Sequence, residues 1–149
     1  MIVPLLKGLR LTLKRFFSPA ITIRYPEERR PVSDRWRGLH YFAADDKGET
    51  LCVACGLCVA ACPSHCISLE IRENEDGTRY PGKYEIEVLR CIFCGFCQEA
   101  CPVNAILLGK EYDHVNYRRA DFLFDKERLL ALGIDPARGM TKKENRWIP

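Results

Sequence analysis

Residues 52–66 read CVACGLCVAACPSHC, five cysteines in fifteen positions. Thirty-nine residues further on the pattern returns: CVACGLCVAACPSHCISL at 52–69 aligns without a gap on CIFCGFCQEACPVNAILL at 91–108. Nine of the 18 aligned pairs are identical: Cys52/Cys91, Cys55/Cys94, Gly56/Gly95, Cys58/Cys97, Ala61/Ala100, Cys62/Cys101, Pro63/Pro102, Ile67/Ile106 and Leu69/Leu108. A repeat this close marks two copies of one unit.

Each copy reads C-x2-C-x2-C-x3-C-P. Two-residue spacers let a tight loop curl round a compact object with its thiolates aimed inward. Thiolate is the soft ligand that iron in sulfur clusters takes. Gly56 and Gly95 can adopt positive φ and let the backbone approach such a core closely. The loop N–H groups can then point at sulfur and tune the site. Each proline disfavours helix at the residue before it, so a short helical turn is predicted to end at Cys62 and at Cys101. That places the fourth cysteine at the far end of the turn, facing away from its own loop. In two-cluster ferredoxins with this run the fourth Cys ligates the other cluster. Two 4Fe–4S clusters are therefore expected: cluster one on Cys52, Cys55, Cys58 and Cys101, cluster two on Cys91, Cys94, Cys97 and Cys62.

Zinc is the competing reading, but four-cysteine zinc sites are usually two separated C-x2-C pairs. Cys66 falls opposite Ala105, which cannot ligate. It reads as a small buried non-ligand; the alternatives are that it replaces Cys62 or tunes a cluster through its S–H. His65 aligns with Asn104 and reads as a surface or neighbouring residue. His40 and His114 have no partner pattern and read as solvated or structural.

Outward from the repeat, Ile67–Glu73 reads as a strand and residues 74–78 (NEDGT) as a turn. Residues 84–89 (YEIEVL) alternate as a second strand, residues 39–43 as a lead-in strand and 105–108 as a short one. Asp125 reads as an N-cap, residues 126–132 as a helix and Gly133 as its stop. Residues 134–149 show no periodicity and read as a partner-bound or flexible tail.

The first residues differ in character. Residues 1–40 hold nine Lys/Arg and three acids, so +6; the other 109 hold 14 and 17, so −3. Apolar residues at 2, 5, 6, 9, 13, 16 and 17 share one helical face, and Lys7, Arg10 and Lys14 another. Such a basic amphipathic helix suits a membrane interface or a partner subunit; packing on its own domain is the rival. Residues 22–38 (TIRYPEERRPVSDRWRG) read as an extended arm that wraps a neighbour. No apolar run is long enough to cross a bilayer. Nine cysteines, an odd count without the h-region of a signal peptide, favour a reduced compartment and metal ligation over disulfides. The expected divisions are 1–18 (basic helix), 19–47 (arm and lead-in strand), 48–112 (double-cluster domain) and 113–149 (helix and tail). The fold class expected is α+β, a bacterial-type ferredoxin-like domain with flanking arms.

The additions to the double motif narrow the resemblance. YPEE at 25–28, RWRG at 35–38, TLCVACGLCVAACP at 50–63, RCIFCGFCQEACP at 90–102 and FLFDKERLL at 122–130 together resemble the subunit I family of proton-translocating NADH–quinone oxidoreductase, respiratory complex I. The resemblance covers about residues 1–132. It implies an electron relay with no substrate-transforming site of its own. Electrons taken from NADH elsewhere would hop through the two clusters toward a terminal cluster beside the quinone. It also implies contact with peripheral-arm and membrane subunits and with the membrane surface. The place implied is the cytoplasmic side of a bacterial inner membrane. The rivals are a free two-cluster ferredoxin, the small iron–sulfur subunit of a membrane-bound hydrogenase, and a zinc-based nucleic-acid module.

Overall fold

The computed structural model describes residues 2–45 and 47–134. The chain divides into two compact units, Met1–Val32 and Ser33–Pro149. The proposed tail lies outside the described residues from position 135 on.

In the first unit, α1 spans Ile2–Phe16, with Lys14 and Arg15 in its last turn, where cations suit the helix dipole. No residue of α1 is buried. Leu5, Leu9, Leu13 and Phe16 are all more than half exposed. Beyond it the arm has no helix or strand up to residue 32, and Arg29 sits over the Tyr25 ring at 5.4 Å.

The second unit holds β1 (His40–Phe42), α2 (Leu57–Ala60), β2 (Ile67–Glu73), β3 (Arg79–Glu87), α3 (Phe96–Glu99), β4 (Ile106–Leu108), a 3-10 turn (Arg119–Phe122), β5 (Leu123–Asp125) and α4 (Lys126–Ile134). β1 pairs antiparallel with β4, so Phe42 lies opposite Ile106. The other sheet has the order β2-β3-β5. The repeat is visible here: each one-turn helix is followed by a strand, β2 after α2 and β4 after α3.

The strand expected at 84–89 starts earlier, at Arg79, and ends at Glu87. Its register slips between Glu70 and Ile71, and Gly82 is the unpaired residue opposite that slip. A bulge accommodates Pro81, which cannot donate to an unbroken ladder. β5 and the 3-10 turn had no signal in the sequence. Three residues are too few for a period, and β5 exists because Phe124 pairs with Ile86.

Asp125 caps α4 as expected: the Arg128 N–H donates to its carboxylate at 2.8 Å. Gly133 is not the stop, since α4 runs through it to Ile134. Its glycine serves packing. A Cβ there would run into the Phe42 carbonyl oxygen and lie 3.2 Å from Tyr41 Cδ2, so α4 rests on β1 only because the side chain is absent. Gly133→Ala is expected to cost about 1–3 kcal/mol by overpacking, read as a lower chemical-denaturation midpoint. Gly8→Ala, in α1 with nothing within 4 Å, should lower nothing.

The core of this unit joins the strands to the cysteine loops. Phe42, Ile86, Phe124 and Leu129 are fully buried. Phe42 meets Tyr84 edge-on at 4.7 Å, and both cysteine loops close over this wall.

Candidate iron–sulfur centres

The two cysteine loops repeat residue by residue in backbone conformation. Ala54 and Phe93 have φ of 50° and 52°, Gly56 and Gly95 79° and 85°, His65 and Asn104 48° and 52°. Only the glycines adopt this region freely; the other four positions carry strain of the kind that marks functional loops. The left-handed turns bend each loop inward and aim amides at sulfur. The Ala54 N–H donates to Cys52 Sγ at 3.4 Å, Phe93 N–H to Cys91 Sγ at 3.3 Å and Ala105 N–H to Cys101 Sγ at 3.2 Å. Gly56 and Gly95 start α2 and α3, whose single turns end just before the fourth cysteine of each run. This geometry agrees with the turn expected from the C-P step.

Tertiary structure sorts the thiols across the repeat. One pocket is lined by Cys52, Cys55, Cys58 and Cys101, backed by Phe42 and Tyr84. Three come from the first loop and the fourth from the second. The thiols that bear electrostatically on Cys52 are Cys58, Cys101 and Cys55. Around Cys91 the neighbouring thiols are Cys66, Cys62 and Cys94, and around Cys97 they are Cys91, Cys58 and Cys94. Cys97 thus also feels Cys58, which makes the two sets adjacent.

Burial pushes the thiols of Cys52, Cys58, Cys91 and Cys97 up. Left bare, they hold their protons. Coordination to cationic iron is the interaction that deprotonates such groups. The apolar pocket of Cys52, Cys55, Cys58 and Cys101 and the thiols gathered around Cys91, with amides aimed at sulfur, fit iron–sulfur clusters by the chemistry of their donors.

Each nest also has side-chain donors. Tyr84 Oη is 3.5 Å from Cys58 Sγ. Cys62 Sγ lies 3.5 Å from both Ser64 Oγ and Cys66 Sγ. Burial works to raise the Cys62 thiol, but the hydrogen bonds from Ser64 and Cys66 outweigh it and bring it down. Burial pushes Cys66 up. Cys66 is buried, as expected, and it stands between Cys62 and Cys91. Arg37 clamps the second loop from outside: its guanidinium donates to the Cys94 carbonyl and pairs with Glu99 at 3.2 Å.

The histidines fall in three different places. His65 is exposed. His114 packs against Phe122 and Phe124 and meets Arg128 at 3.2 Å, a structural place. His40 was expected to be solvated or structural. It is 2% exposed, with Nε2 3.9 Å from Cys91 Sγ. The sequence held one usable signal, an imidazole between apolar neighbours in a lead-in strand, but nothing that tied position 40 to position 91.

A ferredoxin-like domain with two such nests defines an iron–sulfur electron-transfer protein with two 4Fe–4S clusters. The 4Fe-4S dicluster domain family matches residues 51–121. A curated relative, NADH-quinone oxidoreductase subunit I 2 of Geobacter metallireducens, is 47% identical over 130 residues, 87% of this chain and 98% of its own length. NADH-quinone oxidoreductase subunit I 1 of Geobacter sulfurreducens is 48% identical over 131 residues, with the same coverage, 87% and 98%. Among solved structures, a chain of the membrane-bound sulfane sulfur reductase, described as an archaeal respiratory membrane complex, is similar with a TM-score of 0.51 and 28% identity. That match covers 72% of this chain and 54% of the other. The chain belongs to the NADH-quinone oxidoreductase subunit I family.

Proposed function

We propose that this chain relays single electrons within a membrane-attached NADH–quinone oxidoreductase, toward the terminal cluster and the quinone. The ligands we assign are Cys52, Cys55, Cys58 and Cys101 for cluster one, and Cys91, Cys94, Cys97 and Cys62 for cluster two. Cys66 is a non-ligand. The observation that carries the reading is the pocket in which Cys101 joins the three cysteines of the other loop. Crossed ligation would tie the two repeats into one body, as a relay requires.

The bound clusters supply one-electron oxidation and reduction. The chain holds and tunes them. Phe42, Leu69 and Ile106 wall the first nest against water, and a low dielectric strengthens every hydrogen bond aimed at sulfur. Arg37 and Glu99 fix the second loop against the body.

The partners we propose are the peripheral iron–sulfur subunits and a membrane subunit at the junction. The unburied apolar face and basic flank of α1 support that docking and a peripheral place at the membrane surface, on the cytoplasmic side of a bacterial inner membrane. No helix among the described residues is long and apolar enough to cross a membrane. The free-carrier reading suits the basic arm poorly.

Metal analysis and fractionation test the proposal together. The chain should sediment with membranes in a large assembly and carry roughly eight irons with matching labile sulfide. Zinc without sulfide, or a soluble monomer that trades electrons with several reductases, would sink it.

A further inference from the structure

His40 sits on β1 opposite Leu108, with only 2% of its surface exposed. Its ring stacks on Phe93 at 5.7 Å and 29°, inside the loop between Cys91 and Cys94. Nε2 points at Cys91 Sγ from 3.9 Å, while buried Nδ1 has no hydrogen-bond partner among the described residues. A buried polar atom without a partner costs stability, and a leucine would fill the same space without that cost.

The tautomer follows from this arrangement. A neutral imidazole carries one N–H. On Nδ1 the proton would be a buried donor with no acceptor; on Nε2 it has a sulfur in front of it. The network therefore selects the Nε2–H form, and a sulfur that carries negative charge strengthens the bond.

We propose that His40 donates its Nε2–H to Cys91 Sγ and thereby raises the reduction potential of the cluster held by Cys91, Cys94, Cys97 and Cys62. This rests on the ligand assignment proposed above. Reduction adds one negative charge to a cluster. A donor aimed at a ligand sulfur stabilises the reduced form more than the oxidised one, so the potential rises. His40 is a positioning residue that acts through Cys91. The two nests differ in this respect. Among the described residues, the second set has the side chains of His40, Ser64 and Cys66 within reach of its sulfurs, and the first has that of Tyr84.

The test is a redox titration, followed by low-temperature EPR, of the assembled membrane complex carrying His40→Leu or His40→Gln. His40→Leu should lower the midpoint of the cluster-two signal and leave that of cluster one in place. His40→Gln, which keeps an N–H, should recover part of the shift. In the unsubstituted complex, 15N-labelled histidine should give a weak nitrogen coupling on the cluster-two signal in pulsed EPR. The exposed His65 is the control, so His65→Asn should keep that coupling. An unchanged midpoint in His40→Leu, equal shifts in both clusters, or no 15N coupling in the unsubstituted complex would overturn the proposal. If His40→Leu fails to hold its cluster, the 15N measurement decides alone. A failure of the ligand assignment looks different: Cys62→Ala would then leave the cluster-two signal intact.

Discussion

Cys62→Ala removes the cluster at Cys91, Cys94 and Cys97 and spares the one at Cys52, Cys55 and Cys58. That is the expected result if the nests are crossed, although Cys62 stands only four residues from Cys58. The mirror substitution, Cys101→Ala, should remove the cluster at Cys52, Cys55 and Cys58 and spare the other. In each case iron falls by about half, from roughly eight to roughly four per chain. Low-temperature EPR of the assembled complex then shows which signal has gone. Cys101 lines the pocket of the first loop, and Cys62 bears electrostatically on Cys91. Cys66→Ala is the control. It should keep both clusters, because Ala105 stands at the same place in the other repeat. Loss of the cluster-one signal in Cys62→Ala would refute crossing, and loss of any cluster in Cys66→Ala would make Cys66 a ligand.

Phe42→Ala should be the most damaging apolar substitution, at about 3–5 kcal/mol. Phe42 is fully buried, meets Tyr84 at 4.7 Å and pairs with Ile106. It also lines the nest of Cys52, Cys55, Cys58 and Cys101. Truncation opens a cavity beside the thiols, so loss of packing and entry of water coincide. The measurement is the denaturant concentration at which the visible cluster absorbance is lost. Cluster one should go first, since its wall is the one removed. Val115→Ala, at an 84% exposed position, should change nothing. Equal resistance of the two variants would show that the clusters, rather than this aromatic wall, hold the domain together.

Much of the site was legible because cysteine spacing is local. C-x2-C-x2-C-x3-C-P constrains a loop wherever it occurs, and the repeat at 39 residues doubled the signal. β2, the Asp76-Gly77 turn and the Asp125 cap were readable for the same reason, since each depends on residues within one turn or one strand. The register slip at Pro81 and the short β5 were not, because both arise from pairing with distant strands.

By itself the sequence determined the repeated cysteine motif, the family, the basic amphipathic α1, and the glycines that let the loops turn left-handed. Only the tertiary structure decided that Gly133 is a packing residue and that His40 lies against Cys91. The physical reason is one of range. Ligand type and loop shape follow from neighbours a few residues apart, whereas a contact between positions 40 and 91, or 42 and 133, exists only after the chain has folded back on itself.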